Sequence, residues 1–375
     1  MKQKTIKALV TIPPYAPYAE EVVQHEAVAG IRLNTVMPVR ESLESLLTRL
    51  STLTKKYNKE LWVDLKCRQL RVATYGVPPF TSIELNHAID VFTPCDAYFN
   101  DRNEKARVLE VDGRRLIMES GPKRVVGPGE SVTIPHPTLR IKGYLTDTDK
   151  AYLRAGVNVG VNRYMLSFVE KSEDIAAVRA IHPTAELIAK IESARGLDYL
   201  KNSVFSDLEN AFAISGLKPE SVRKEHFLSI KNTWDGKTRL MAARGDLYME
   251  LHWPHTIIDA LELILERDKN AIVASRILGS LAHSIEPSCE DIGDLDNLLR
   301  MGYKTVMFGD EICLKRDSII AALNVFAAIR ERYQKHDGSA RVLDARGAVG
   351  PRHEQQEKQK GAQEMFKYHE TAACA

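Results

Sequence analysis

The sequence has few cysteines, almost no net charge and no long apolar run. Its five cysteines are scattered and form no CxxC pair, which favours reduced thiols in a cytoplasm and argues against a zinc site. The 52 basic and 50 acidic residues leave a net charge of +2, so neither nucleic acid nor an anionic membrane is expected as a partner. No stretch is long and apolar enough to span a bilayer. The first residues lead directly into a predicted strand without an apolar signal segment, so we expect a cytoplasmic protein.

What the sequence does contain is an alternation of short strand-like runs with amphipathic, helix-length runs. Eight such strands are predicted, starting near residues 6, 30, 61, 163, 185, 239, 271 and 305. Eight β/α units predict an α/β fold, the (β/α)8 TIM barrel, whose active site lies at the C-terminal ends of the strands. A doubly wound open sheet is the alternative, but eight units favour closure.

Two interruptions in this alternation predict the domain organisation. Residues 1–72 form the first part of the barrel, and 73–141 form an inserted β lid domain with a hairpin turn at Asp112-Gly113. Residues 142–335 form the second part of the barrel, with a partly helical insertion at about 203–236. Residues 336–375 are polar and glycine-containing, which predicts a flexible C-terminal tail.

Charged residues follow two of the predicted strands. One strand ends in Lys190 and Glu192, and the apolar run 240–243 is followed by Arg244-Gly245-Asp246, with a helix expected from Leu247. Two carboxylates and one ammonium suit a hard cation together with a small oxyanion. We therefore predict Glu192 and Asp246 as ligands of Mg²⁺ or Mn²⁺, with solvated loop acids as the alternative. A helix start near residue 244 would also offer backbone N–H groups to a substrate carboxylate.

Several motifs occur in one order along the chain, each at a predicted strand end. They are Arg32-Leu33-Asn34, the segment from Asp64 to Arg71, Ser167-Phe168, Lys190-Ile191-Glu192, Ala243-Arg-Gly-Asp246 and Met307–Glu311. In this order, and with a β insertion after the third strand, residues 5–335 resemble pyruvate kinase. The resemblance implies a barrel with a β lid, a divalent cation and cleavage of phosphoenolpyruvate through an enolate.

The resemblance also implies roles for single residues. Lys190 would neutralise a transferring phosphoryl group or an enolate, Arg32 would grip a phosphate or carboxylate, and Ser275 stands where the family has a threonine beside the substrate's methyl carbon. Substrate contacts are predicted for Ala243, Arg244, Gly245, Ser167 and Arg71, and a monovalent-cation or positioning role for Asn34 and Asp64. Each has a structural alternative: an ion pair for Lys190, a salt bridge at the barrel rim for Arg32 and a helix N-cap for Ser275.

The chain departs from the family mainly where potassium and the nucleotide bind. Val36 and Leu65 replace two residues that supply potassium ligands, and Met37 replaces a histidine on the nucleotide side. Glu170 replaces an arginine, and the family's C-terminal α/β domain has no counterpart. These losses put K⁺ and the use of ADP in doubt unless Arg68 or Arg71 compensates.

The sequence is compatible with three functions. The primary prediction is a pyruvate kinase-like phosphotransferase acting on phosphoenolpyruvate and a nucleoside diphosphate such as ADP. The alternatives are a metal-dependent aldolase or lyase that uses a pyruvate enolate, and a non-catalytic binding relative. Small-molecule partners, phosphoenolpyruvate or a 2-oxo acid, are expected in the first two cases, and a homo-oligomer stays open.

Overall fold

The computed structural model describes residues 6–79, 82–99, 103–202 and 238–336. The predicted insertion at about 203–236 lies outside these ranges, as does the predicted tail beyond residue 336. The chain divides after Glu331 into two units, and the first contains all the strands described below. Of the helices in these ranges, none combines the length and the apolar content that a bilayer crossing requires.

The described strands fall into a barrel set and a lid set. In chain order they are β1 (Lys7–Thr11), β2 (Val28–Asn34), β3 (Glu60–Leu65), β4 (Ser82–Glu84), β5 (Ile89–Asp90), β6 (Cys95–Phe99), β7 (Glu104–Asp112), β8 (Arg115–Ser120), β9 (Val132–Thr133), β10 (Arg140–Ile141), β11 (Arg163–Leu166), β12 (Glu186–Ile191), β13 (Thr238–Ala243), β14 (Ile272–Ala274) and β15 (Thr305–Phe308).

Helices follow most of the barrel strands. They are α1 (Ala19–Gln24), α2 (Leu43–Lys56), α3 (Asp147–Val159), α4 (Ser172–Ile181), α5 (Arg244–Glu250), α6 (Ile257–Arg267), α7 (Cys289–Met301), α8 (Asp310–Cys313) and α9 (Arg316–His336). Residues 194–202 are also helical, and short 3₁₀ turns cover Pro254–Thr256 and Gly279–Ala282.

Eight parallel strands close into a barrel in the order β1-β15-β14-β13-β12-β11-β3-β2. The closure pairs β1 with β15, where Leu9 lies opposite Met307. One cluster of buried side chains draws on seven of the eight strands, as expected where alternate residues of each strand face the barrel interior: Leu9, Trp62, Met165, Ile188, Met241, Ala243, Ile272, Ala274 and Met307. The predicted (β/α)8 barrel is therefore confirmed.

Local signals explain where several elements begin. Ser42 and Ser288 accept hydrogen bonds from the first turns of α2 and α7. Thr146 does the same for α3 and forms a reciprocal capping box with Asp149. In β2, a Cβ on Gly30 would lie 2.7 Å from the Glu60 carbonyl oxygen, so only glycine permits this approach of β2 to β3.

The lid is inserted between β3 and α3 and has a core of its own. Five antiparallel strands lie in the order β4-β8-β7-β6-β9, and β5 pairs with β10. The predicted hairpin joins β7 to β8, where Gly113 adopts φ +59°. The lid core is apolar: Leu70, Val72, Ile83, Leu85, Ile89, Cys95, Ala97, Phe99, Ala106, Val108, Leu116, Met118, Val126, Val132, Ile134 and Leu139. The predicted domain limits at residues 73 and 141 stay predictions.

The structure differs from the sequence prediction after β13. Arg244, Gly245 and Asp246 form the first turn of α5 rather than a break before a helix at Leu247. The helix starts as soon as the strand ends, so Asp246 is held on regular backbone and not on a loop.

Candidate active site

A cluster of charged side chains lies at the C-terminal ends of the barrel strands, around Asp64 at the end of β3. Asp64 is fully buried. Its Oδ2 accepts from Arg32 Nε at 2.7 Å and from Lys66 Nζ at 2.9 Å, and its Oδ1 lies 3.0 Å from Lys190 Nζ. One carboxylate thus faces three cations. Burial alone would raise the pKa of Asp64, but Lys190, Lys66 and Arg32 together hold that pKa well below its usual range.

Lys190 lies between two buried carboxylates. Its Nζ is 3.0 Å from Asp64 Oδ1 and 3.2 Å from Glu192 Oε1. Burial opposes the charge on Lys190, but Asp64 and Glu192 outweigh it and raise the pKa of the ammonium. Lys190 is therefore positively charged at neutral pH.

Glu192 is buried beside other carboxylates as well as beside Lys190. Its Oε2 accepts from the backbone N–H of Phe168 at 2.8 Å, where Phe168 has φ +50°. Burial raises the pKa of Glu192, Lys190 opposes the rise, and the nearby carboxylates of Asp246 and Asp64 add to it. Such like-charge crowding in a buried site is what a bound cation would relieve.

Asp246 completes the predicted metal pair from the first turn of α5. Its Oδ2 accepts from Gln69 Nε2 at 3.1 Å, and both side chains line the same cavity as Glu192. Within the described ranges no group of three or more His, Cys, Asp or Glu side chains is arranged to hold a metal ion. Two carboxylates fit Mg²⁺ or Mn²⁺, which keep waters and substrate oxygens as their other ligands. The donor chemistry therefore fits the predicted cation.

Arg32 joins the cluster to the end of β15. Besides Asp64, it donates from Nη1 to Thr11 Oγ1 at 2.9 Å and to Asp310 Oδ1 at 3.1 Å. Asn34 Nδ2 donates to the other oxygen of Asp310 at 2.8 Å. Asp310 was not predicted as a site residue, and its place after β15, a closing strand of the barrel, was the available signal.

The cavity enclosed by these groups has a volume of about 500 Å³. Nine predicted site residues line it: Arg32, Asn34, Arg71, Lys190, Glu192, Ala243, Gly245, Asp246 and Ser275. Asp64 lies buried beneath it. The other lining residues were given no individual role from the sequence, although six of them lie within the strand-end motifs Asp64–Arg71 and Met307–Glu311: Lys66, Gln69, Ser131, Arg276, Gly279, Asp291, Met307, Gly309, Asp310 and Glu311.

Two predicted substrate contacts point elsewhere. The hydroxyl of Ser167 is fully buried and donates to the Leu65 carbonyl oxygen at 2.9 Å. The guanidinium of Arg244 binds Asp294 at 2.7 Å and the carbonyl of Ser275 at 3.0 Å. Neither residue lines the cavity. The substrate contacts predicted for Ser167 and Arg244 stay predictions. For Arg244, the predicted contact is through its backbone N–H group.

Lys66, which was given no role from the sequence, is a cavity residue with a strongly perturbed pKa. The carboxylate of Asp149 in α3 accepts from the backbone N–H groups of Lys66 and Cys67, at 2.9 and 3.0 Å, and so fixes the turn that directs Lys66 inward. The pKa of Lys66 is lowered to about 7. Burial is the main cause, the positive charges of Arg32 and Lys190 lower the pKa further, and the negative charge of Asp64 opposes the decrease. Its position two residues after Asp64, directly after the end of β3, was the sequence signal.

On the side of the site predicted to meet a nucleotide, both candidate arginines, Arg68 and Arg71, already bind groups of the protein. Arg68 is bound to Asp174 at 2.5 Å and to Glu170 at 3.2 Å. Arg71 donates to the side chain of Gln69 and to the carbonyl of Gly129. Arg68 is therefore neutralised by two carboxylates, and Arg71 is held by neutral acceptors.

Comparison with known proteins agrees with this geometry. The chain is 23% identical over 331 residues to a pyruvate kinase of Thermoplasma acidophilum, covering 81% of this chain and 54% of that protein. It is 27% identical over 255 residues to a pyruvate kinase of Agrobacterium vitis, covering 67% of this chain and 46% of that one. The predicted resemblance to the pyruvate kinases is confirmed.

The likeness to the pyruvate kinases is distant and partial. The crystal structure of Cryptosporidium parvum pyruvate kinase superposes with a TM-score of 0.65 at 17% identity, over 88% of this chain and 71% of that chain, which establishes the shared fold. No protein-family profile matches the chain. The chain spans about half the length of the curated relatives it matches.

Proposed function

We propose that this protein is a divalent-metal-dependent enzyme that cleaves phosphoenolpyruvate, or forms it, through a pyruvate enolate. The observation that carries the proposal is the buried ammonium of Lys190, 3.0 Å from Asp64 and 3.2 Å from Glu192, in the same cavity as Asp246. A desolvated ammonium beside a hard-cation pair suits charge developing on phosphoryl and enolate oxygens, because such charge is stabilised best by fixed groups in a site of low polarity.

Five residues of the site have defined roles in this proposal. Glu192 and Asp246 would hold Mg²⁺ or Mn²⁺, which supplies Lewis-acid polarisation of substrate oxygens when bound. Lys190 and Arg32 would orient the phosphoryl group as its bond to the enol oxygen breaks and the group passes to an acceptor. The electron pair left on the enolate oxygen lies beside the Lys190 ammonium. Carbon 3 would then take a proton from water, at the side of the cavity where Ser275 lies.

The primary form of the proposal has a nucleoside diphosphate as the phosphoryl acceptor. A coupled assay for pyruvate formation from phosphoenolpyruvate, Mg²⁺ or Mn²⁺ and each common nucleoside diphosphate, with and without K⁺, tests it. Turnover should vanish in Lys190→Met and persist in Lys150→Met, because Lys150 forms an ion pair with exposed Asp147 and does not line the cavity of Lys190. Absence of turnover in the unaltered protein with every acceptor would refute this form. Turnover would also exclude a non-catalytic binding relative.

The second candidate is a metal-dependent aldolase or lyase that uses the same enolate. The engagement of Arg68 with Asp174 and Glu170 favours it, because this removes one of the two residues that could replace the nucleotide contacts. Incubation of pyruvate with the protein and Mg²⁺ in deuterium oxide tests it. Metal-dependent loss of the methyl proton signal, abolished in Lys190→Met, is expected. No exchange above the rate with metal alone would remove the basis of this candidate.

A further inference from the structure

The backbone at the end of β14 adopts an unusual conformation beside the cavity. Ser275, Arg276 and Leu278 have φ values of +70°, +56° and +53°, all in the left-handed region that disfavours residues other than glycine. Arg244 holds this segment, since its Nη2 donates to the carbonyl oxygens of Ser275 at 3.0 Å and Arg276 at 2.8 Å. Backbone strain of this kind clusters at ligand-binding sites, where it aims a particular side chain.

The side chain that this segment presents to the cavity is Arg276. Its guanidinium carbon lies 4.8 Å from the centre of the Tyr248 ring, and Nη2 is 3.7 Å from Met249 Sδ. Among the residues that the structure describes, no carboxylate lies within ion-pair distance of this guanidinium. Arg32, Lys66 and Lys190 differ from it, because all three bind Asp64. Stacking on Tyr248 pre-orders a long side chain and leaves the fork of N–H donors available to a ligand.

The surroundings of Arg276 favour a carboxylate over a phosphate. Asp246 and Asp291 line the same cavity, and the Asp291 oxygens accept from the backbone N–H groups of Gly279 and Ser280, at 3.1 and 2.9 Å. Two neighbouring carboxylates disfavour a dianion that only one guanidinium would balance. A singly charged, planar carboxylate matches both the charge and the fork geometry of arginine.

We propose that Arg276, stacked on Tyr248, binds a second carboxylate of the substrate, so that the enzyme prefers 2-oxo dicarboxylates to 2-oxo monocarboxylates. This inference rests on the proposed enolate function. The 2-oxo acid end would lie at Lys190 and the two metal-binding carboxylates. The far end of the carbon chain would reach Arg276, on the wall formed by β14. Arg276 is then a specificity-determining residue of the same site.

Two matched pairs of ligands isolate the second carboxylate. 2-Oxoglutarate and 2-oxopentanoate share five carbons, oxaloacetate and 2-oxobutanoate share four, and each pair differs only in a terminal carboxylate or methyl group. Dissociation constants are measured by calorimetry with Mn²⁺ present, for the unaltered protein, Arg276→Gln, Arg276→Lys and the control Arg154→Gln. Arg154 is exposed on α3 and lines none of the cavities described.

We expect at least one dicarboxylate to bind about ten- to a hundredfold more tightly than its partner, as a charge-assisted contact implies. Arg276→Gln should reduce this ratio to about one without weakening the monocarboxylate, Arg276→Lys should retain part of it, and Arg154→Gln all of it. A preference that is absent, or that survives in Arg276→Gln, overturns the inference, while turnover of phosphoenolpyruvate or exchange of the pyruvate methyl protons leaves the proposed function intact. If no 2-oxo acid binds the folded protein, this inference fails, and those two assays decide separately whether the proposed function fails with it.

Discussion

Replacing Asp64 by asparagine should destabilise the protein strongly, because this buried carboxylate is the shared partner of Arg32, Lys66 and Lys190. Arg32 Nε, Lys66 Nζ and Lys190 Nζ all lie within 3.0 Å of it. Removal of one partner of a buried ion pair typically costs about 3–5 kcal/mol, since it leaves uncompensated charge in a site of low polarity. At about 2 cal/mol/K per residue over about 300 residues, this equals a fall in Tm of roughly 5–8 °C.

The pH dependence of the free energy of unfolding also reports on the buried charge of Asp64. Three cations hold the folded pKa of Asp64 below its unfolded value of about 3.9, so the folded state binds fewer protons. The contribution of Asp64 is therefore present in full above the unfolded pKa and is lost as pH falls through the folded pKa. Asp64→Asn should lower stability at neutral pH and flatten its decline below about pH 4.

Urea unfolding from pH 2 to 8, followed by circular dichroism, measures both effects. The matched control is Asp147→Asn, which removes a fully exposed carboxylate that forms an ion pair with Lys150 and should shift the unfolding midpoint far less than Asp64→Asn does. A loss below about 1 kcal/mol in Asp64→Asn, well under the range for broken buried pairs, would show that water already screens the cluster and refute the reasoning.

Three further predictions concern a helix cap, a strand contact and the metal pair. Thr146→Ala removes the capping box of α3 and should cost about 1 kcal/mol in the free energy of unfolding, measured by urea titration. Gly30→Ala should cost about 1–3 kcal/mol because its Cβ would meet the Glu60 carbonyl at 2.7 Å, whereas Gly293→Ala in α7, with open space around it, should be neutral or stabilising. A loss of similar size in both alanine variants would show that the cost does not come from the Glu60 contact and would contradict the reasoning. Burial raises the pKa of Glu192, so the affinity of the protein for Mn²⁺ should begin to fall at a pH above the usual glutamate range, and Glu192→Gln should weaken Mn²⁺ binding at every pH. Calorimetric titration with Mn²⁺ from pH 4 to 8 measures both effects. A midpoint at the ordinary glutamate pKa would contradict the prediction.

Much of the fold could be predicted because parallel barrel strands are buried on both faces. Such strands are short apolar runs, and eight of them separated by helix-length segments leave few architectures. The predicted start at 305 coincides with Thr305 of β15, and that at 61 is one residue from Glu60 of β3. The start of α5 was predicted too late, because glycine in Arg244-Gly245-Asp246 suggested a break where the helix begins directly.

Part of the site could also be predicted from local order alone. Lys190 and Glu192 are two residues apart at the end of one strand, so a period of two directs both to the same side. Pairing of β12 with β13 then brings Asp246, in the first turn of α5, into the same cavity. The strand periodicity and the position of charges at strand ends were therefore sufficient to predict the barrel and the place of its cavity.

Only the tertiary structure decided which charges are free to bind a ligand. Arg68 and Arg244 resemble ligand-binding residues in the sequence, but Asp174 and Asp294, 106 and 50 residues away, neutralise them. Lys66 and Arg276 were given no role from the sequence, yet both line the cavity. The physical reason is that the state of a buried charge depends on the distances to all its neighbours. Those distances are set by the packing of helices and strands that are remote in the chain.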